Sequence, residues 1–371
     1  MNHRPLGCTA AVLLALCGSA QAQSSVTVYG SFDQYLNYMK SNSGTSIKGL
    51  EDGAILRTRI GFRGIEDLGD GLQAKFTLEQ GIYGNSGTTA DSSRGWDRQA
   101  WVGLAGSAGE VRFGRQNGPI FFRGGYIDYS SRTLGSMVNN FGVPSRFDND
   151  ISYLSPRIAG LQFEGHIALG ETTAGLTAQA VYQGAVDYLN GPFRVGYAGL
   201  RGKPPSGALY STQVAYDNLY ANYDYGRGKV YLTYVRSNNN TSGAAGRTAG
   251  TILGNVGGLV AGTNPDVNNY FRILQASVDY LVTPALRVGA LWGTITDQSG
   301  NSRGASGGSV GAYYSLSKRT TLYSLVDTLR NQTNGSFRPS GSSALPFNFT
   351  AQSDVQGHTM NGVQLGIQHS F

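Results

Sequence analysis

Arg57, Arg59 and Arg63 fall at odd-numbered positions of one short run, Arg57-Thr58-Arg59-Ile60-Gly61-Phe62-Arg63. In an extended chain, residues two apart share a face. The three guanidiniums therefore form a positive wall, with Lys75 on the run that follows. Such a wall attracts anions and orients the dipoles of polar solutes, and its field reaches about 8 Å at physiological salt. Paired internally with carboxylates, the same wall would only stiffen the fold, each solvent-exposed pair contributing about 0–1 kcal/mol. The acids available to face it lie between Gln116 and Asp150. Asp128 is the one expected to oppose the arginines. Asp148 and Asp150 lie close to the next strand and are expected to anchor the return of the segment. Arg123, Arg132 and Arg146 share that stretch, so its formal balance is zero. Asp33 and Glu164 sit on the polar faces of other runs and read as ordinary wall polarity.

Catalytic constellations are weak by comparison. Gly307-Gly308-Ser309-Val310-Gly311 has the G-x-S-x-G spacing of a hydrolase nucleophile elbow, which needs a strand before it and a helix after it. Here a glycine-rich loop precedes and a strand follows. His166, His358 and His369 are widely spread and lack metal-ligand spacing. No phosphate loop or zinc-protease motif is present, so neither a cofactor nor a metal is expected.

The elements that would position these residues begin after a targeting segment. Arg4, an apolar run over Leu6 to Leu16 and the small-residue pattern Ala20-Gln21-Ala22 form a secretory signal. Residues 1–22 are therefore expected to be removed, leaving a single domain over 23–371. The apolar run is too short for a spanning helix of about 20 residues. Cys8 and Cys17 leave with it, so the mature chain has no disulfide, although its destination is oxidising. Charged residues make up 14% of the chain, against about 25% in ordinary domains. There are 54 glycines and 22 tyrosines, and the net charge is +6. No Lys/Arg block of the nucleic-acid-binding kind occurs.

Alternation of period two runs through the chain and predicts strands with one apolar face. Val26, Val28, Gly30 and Phe32 oppose Thr27, Tyr29, Ser31 and Asp33; Leu72, Ala74, Phe76 and Leu78 oppose Gln73, Lys75, Thr77 and Glu79. The last run sets Val363, Leu365, Ile367, His369 and Phe371 against Gln364, Gly366, Gln368 and Ser370. Around 214–225 and 322–329, apolar residues occupy both faces and the orientation stays open. Seven tight turns alternate with eight longer connections, which parses the chain into sixteen strands. Every proline after Ala22 falls in or beside a connection, as a ladder requires.

An unpaired backbone group in hydrocarbon costs several kcal/mol, so strands that cross a membrane must close into a barrel. The apolar face then meets lipid. The arginine face turns inward, since a lipid-facing arginine at mid-depth costs about 2–4 kcal/mol. The connection over about 116–150 is the exception to the short-strand pattern. Ile120, Phe121, Phe122, Tyr126, Ile127, Tyr129, Leu134, Met137, Val138 and Phe141 make it too apolar for a solvated loop. It is expected to fold inside the barrel and set the narrowest point. The stretch 237–269, built of Asn, Gly, Ser, Ala and Thr, is expected to be an exposed loop.

The chain resembles the Gram-negative general-porin family. Ser25-Val26-Thr27-Val28-Tyr29-Gly30 resembles that family's first strand. Gly61-Phe62-Arg63-Gly64 with Glu66-Asp67-Leu68-Gly69-Asp70-Gly71-Leu72 resembles the following hairpin. Trp101-Val102-Gly103-Leu104, Phe113-Gly114-Arg115-Gln116 and Arg146-Phe147-Asp148-Asn149-Asp150-Ile151-Ser152-Tyr153 continue the match. Gly366-Ile367-Gln368-His369-Ser370-Phe371 resembles the closing strand. The resemblance implies an all-β fold, a transmembrane 16-stranded antiparallel β-barrel with an inward-folded third loop. It further implies a homotrimer in the outer membrane, in contact with its lipid, passing ions and small hydrophilic solutes by passive diffusion. Arg146 would face the lumen, although the residues alone leave its facing open. Phe371 would be the terminal signal read by the outer-membrane assembly machinery. The zero balance of the loop departs from the acidic cluster common in the family and favours a weak anion preference. Three other readings remain: a substrate-specific channel of the same fold, an outer-membrane barrel enzyme, and a secreted soluble β-protein.

Overall fold

Alternation along each strand becomes two surfaces of one closed sheet in the computed structural model, which describes residues 24–170, 175–177, 180–202, 214–238, 271–342 and 348–371. The expected signal segment 1–22 and nearly all of the stretch 237–269 lie outside the described residues. The strands are β1 (Ser25–Ser41), β2 (Ser46–Asp52), β3 (Arg59–Gly69), β4 (Leu72–Tyr83), β5 (Thr88–Thr89), β6 (Gln99–Gly106), β7 (Gly109–Asn117), β8 (Arg146–Leu154) and β9 (Leu161–Ala168). They continue as β10 (Val181–Asn190), β11 (Phe193–Gly202), β12 (Val214–Asp224), β13 (Lys229–Ser237), β14 (Phe271–Leu281), β15 (Leu286–Asp297), β16 (Ala305–Ser315), β17 (Thr320–Asn331) and β18 (Thr359–Ser370). β2 and β3 both pair with β1 and form one interrupted stave, while β5 is a two-residue ladder on the end of β4. Sixteen staves result, all antiparallel, and β1 pairs with β18 from Ser31↔Ser370 to Ser41↔Met360 to close the barrel. Phe371 extends that seam, exchanging backbone hydrogen bonds with Gly30 at 3.2 Å in both directions.

Strand β14 shows the two surfaces plainly. Phe271, Ile273, Gln275, Ser277 and Asp279 are buried, whereas Arg272, Leu274, Ala276, Val278 and Tyr280 are exposed on the outside. The two regions of ambiguous alternation also resolve. On β12, Tyr216 and Tyr220 point inward and Leu219 and Tyr223 outward; on β17, Tyr323, Leu325 and Leu329 point inward and Leu322 and Val326 outward. Both faces are apolar because the inner face is covered by protein. Tyr216 packs on Phe141 and Tyr220 on Tyr126, both from the connection between β7 and β8.

That connection, 118–145, folds into the barrel. It carries two short helices, α1 (Pro119–Phe122) and α2 (Met137–Phe141). Ile120, Ile127, Leu134, Met137, Val138 and Phe141 are all buried, so the apolar content of this segment forms a core between loop and wall. The segment crosses the interior from α1 beside β9–β11 to α2 beside β14–β16. Polar contacts fix it there. Thr233 Oγ1 donates to the Ile127 carbonyl at 2.9 Å, the Tyr129 amide to Ser277 Oγ at 3.0 Å, and the Met137 amide to Gln275 Oε1 at 2.7 Å. The last external connection closes over it: Phe337 packs against Phe141 and Phe271, and Asn139 Nδ2 donates to the Ser340 carbonyl at 2.6 Å.

Candidate functional site

Five arginines gather on one side of the interior, where β3, β4, β7 and the return of the inward loop meet. Arg59 forms an ion pair with Glu79 at 3.2 Å, and Arg98 Nε donates to the other Glu79 oxygen at 2.7 Å. Tyr29 Oη donates to the same carboxylate at 3.1 Å. Arg115 Nη1 donates to Asp148 at 2.6 Å, and Arg94 reaches the second Asp148 oxygen at 3.0 Å. Arg146 has Arg98, Glu79, Arg115 and Arg57 as its charged neighbours and stacks over the Phe121 ring at 4.5 Å. Its Nε and Nη2 are buried and have no hydrogen-bond partner among the described residues. Arg57 lies in the break between β2 and β3, its guanidinium 5.5 Å from the centre of the Tyr83 ring, with Asp97 and Asp52 nearby. Around Arg57, Arg59, Arg98, Arg115 and Arg146 the adjacent carboxylates are Asp52, Glu79, Asp97 and Asp148, so positive charge is in excess. Cation–π contacts such as those of Arg57 and Arg146 hold a guanidinium without neutralising it.

Several expected members lie elsewhere. Arg63 and Lys75 share the inner face but sit nearer the short-turn end. Arg63 is exposed over the Tyr29 ring, and Lys75 pairs with Glu110 at 3.1 Å, an acid also held by Arg112. Asp128 does not face the arginines. Its Oδ1 accepts from the Ser130 amide at 3.0 Å, Ser130 Oγ at 2.7 Å and the Arg132 amide at 3.0 Å; its Oδ2 accepts from Ser136 Oγ at 2.8 Å and Gln275 Nε2 at 2.9 Å. The reason lies in the backbone. Ser131 and Arg132 have positive φ, 58° and 64°, a conformation unusual for side-chain-bearing residues, and the carboxylate ties that turn together. Burial pushes the neighbouring Arg132 guanidinium down to about 10, with Asp128 and Tyr216 pulling the other way.

Asp33 is likewise a structural anchor rather than exposed wall. It is fully buried, accepts from the Ile55 and Leu56 amides at 2.8 Å each, and takes the Tyr323 hydroxyl at 2.5 Å. It thereby holds the break that interrupts β2 and β3. Glu164 bridges the wall to the start of the loop, accepting from Arg123 Nη1 at 2.5 Å and contacting His166 Nε2 at 2.9 Å. His166 reaches Asp150 through its other nitrogen at 2.7 Å.

Arg98, Arg115 and Glu79 were missed as site residues. Glu79 was visible on the inner face of its run. Arg98 precedes β6, and Arg115 lies at a register shift between Gly114 and Gln116 in the pairing of β7 with β8, so neither obeys strand parity. The G-x-S-x-G run also acquires a role. Ser309 Oγ lies 3.0 Å from Tyr129 Oη, and a Cβ on Gly311 would stand 2.9 Å from that same oxygen. The small residues of β16 are a platform for the loop. His358 is held by Asn42 at 2.7 Å, and His166 by its two acids.

A closed antiparallel barrel with an apolar outer face, a polar and arginine-bearing inner face and a loop folded inside is a transmembrane diffusion channel. A profile of the Gram-negative porin family matches residues 9–334, and the chain belongs to that family. It is 30% identical over 379 residues to outer membrane porin protein 32 of Delftia acidovorans, covering 98% of both chains. It is 29% identical over 369 residues to an outer membrane porin protein of Bordetella pertussis, covering 87% of this chain and 93% of that one. An anion-selective porin from Comamonas acidovorans superposes with a TM-score of 0.75 at 25% identity, over 94% of this chain and 100% of the other. The trimer form of OmpT of Vibrio cholerae shares the fold, with a TM-score of 0.63 at 15% identity over 94% and 99%. The protein is an outer-membrane porin of a Gram-negative bacterium, a channel rather than an enzyme.

Proposed function

We propose that this porin is a weakly anion-preferring diffusion channel whose narrowest part lies between the inward loop and the arginine side of the barrel. The single observation that carries the reading is the excess of guanidinium over carboxylate around Arg57, Arg59, Arg98 and Arg146. At about 8 Å of screening length, a fixed charge on one wall acts across a channel of that width. The similarity to a porin described as anion-selective supports the same assignment. Arg57, Arg59 and Arg146 carry most of the preference, and Arg63 and Lys75 act as a positive approach at the short-turn mouth. Asp33, Asp128 and Glu164 serve the channel indirectly by holding its shape. Reversal potential in planar bilayers under a potassium chloride gradient tests this: the expected sign is chloride over potassium. A clear potassium preference overturns it.

We further propose removal of residues 1–22, with the mature chain beginning at Gln23, which N-terminal sequencing of the membrane-derived protein reads directly. A homotrimer, as in the Vibrio neighbour, is the expected assembly, and cross-linking of the detergent-solubilised protein should give a three-chain band. Phe371 is assigned to assembly-machinery recognition. Its replacement by Ala should lower the yield in the outer membrane while leaving the conductance of assembled channels unchanged.

A further inference from the structure

One large apolar side chain inside the barrel is left uncovered. Among the described residues, the other large hydrophobics that stand exposed lie on the outer faces of strands or in the connections at the barrel ends. Phe122 alone among them belongs to the inward loop, and it is 61% exposed. Pro119 and Ile120 of the same turn are buried, and α1 leans on β9–β11, so the Phe122 ring projects into the water-filled passage. A single exposed ring is ordinary on a protein surface. This one has an unusual neighbour.

Phe121 lies between two guanidiniums, with Arg132 Cζ 4.3 Å and Arg146 Cζ 4.5 Å from its ring centre. Arg132 Nη2 also donates to the Phe121 carbonyl at 3.2 Å. Gly124 makes room for this, since a Cβ there would collide with Arg132 Nε. Asp128 accepts from the Arg132 amide rather than from its guanidinium, and Arg132 Nε has no hydrogen-bond partner among the described residues. Arg194, stacked over the Tyr126 ring of the same loop at 3.7 Å, is by contrast paired with Asp187 at 3.6 Å. Arg132, only half-buried, is therefore the cation that a solute beside Phe122 would meet. Successive residues of a helical turn point about 100° apart. One ring of the Phe121-Phe122 pair thus carries the cations while the next faces the passage.

A solute that suits both halves bears a carboxylate for the guanidinium and a flat ring to pair with Phe122, where aromatic contact adds to simple burial. We propose that the lumenal side of α1 is a transient binding site for aromatic carboxylates. Arg132 takes the carboxylate, Phe122 packs on the ring, and Arg146 adds its charge from behind Phe121. The site rests on the anion preference of the same passage and names which anions gain most from it. Conduction requires release as well as entry, so the contact is weak and brief.

The test measures chloride current through the full chain in planar bilayers while benzoate, cyclohexanecarboxylate or acetate is added. Benzoate should halve the current at about fivefold lower concentration than cyclohexanecarboxylate, its equal in charge and carbon count, and about tenfold lower than acetate. Phe122→Ala and Phe122→Leu should each abolish the difference between the two ring acids. Arg132→Gln should raise the benzoate concentration required about tenfold, and Arg132→Lys should recover most of that loss. Should Arg132→Gln disturb the loop, read as altered current before any carboxylate is added, the two Phe122 variants carry the comparison. Equal block by benzoate and cyclohexanecarboxylate, or a benzoate preference that survives Phe122→Ala, overturns the proposal. A parent channel that favours chloride over potassium yet is blocked equally by all three acids refutes this site alone. One that favours potassium refutes the anion preference and, with it, the basis of the site.

Discussion

Two sets of charges inside the barrel are used in opposite ways. Beside β3 and β4, Arg57, Arg59, Arg98 and Arg146 outnumber the acids near them, and Arg146 keeps two nitrogens without a partner among the described residues. Beside β1 and the loop turn, Asp33 and Asp128 are engaged by backbone amides and hydroxyls from several directions. Both sets are charged, but only the arginines leave an excess whose field reaches the lumen. A carboxylate holding several hydrogen bonds organises backbone; a guanidinium stacked on an aromatic ring keeps its charge, whose field acts on a passing ion. Counting acids and bases along the sequence cannot make that distinction.

Four variants would break or sharpen this contrast. The largest effect is expected for Arg57→Gln, Arg59→Gln and Arg146→Gln together. Each charge, screened over about one Debye length, contributes about 0.2 kcal/mol with opposite sign on anion and cation. The three together should shift the anion-to-cation permeability ratio about tenfold toward cations, read as a change in reversal potential. Asp128→Ala should leave that ratio nearly unchanged but free the loop turn. Each buried donor left without its acceptor costs about 1–3 kcal/mol. Protease cleavage near Arg132 and added single-channel noise are the readouts; a silent, resistant variant would show that the carboxylate does not hold the turn. Gly311→Ala is expected to act more mildly, because its Cβ would meet Tyr129 Oη at 2.9 Å and Leu325 at 2.6 Å. Overpacking of this kind costs about 1–3 kcal/mol and should alter conductance through a displaced loop. Lys75→Gln should do least, under about 1.5-fold in permeability ratio, since its charge is already paired with Glu110 and Glu110 keeps Arg112.

Much of the fold was legible in residue alternation, because a barrel in lipid has one apolar face per strand. The reading weakened where that premise failed. Tyr216, Tyr220, Leu325 and Leu329 point inward yet are apolar, since they touch the loop rather than water. The break at 53–58 was hidden because Leu56, Thr58 and Ile60 keep strand parity across it, and only Asp33, some twenty residues earlier in sequence, reveals why it is there. Arg57, Arg59 and Arg146 were recognisable as candidates by type and position. Arg98 and Arg115 were not, as each sits where the ladder starts or shifts register. The role of Asp128 was misread because its partners Ser130, Ser136 and Gln275 are set by a left-handed turn and a distant strand, neither visible in a one-dimensional pattern.

The seam between β1 and β18 has a temporal consequence. Its pairs join residues more than three hundred positions apart, and the backbone exchange between Gly30 and Phe371 extends them. The cylinder cannot shut until strands this far apart in the chain have met. Such distant pairings are the slowest to form, so the chain must travel as an open, adhesive ribbon and complete its circumference only on arrival.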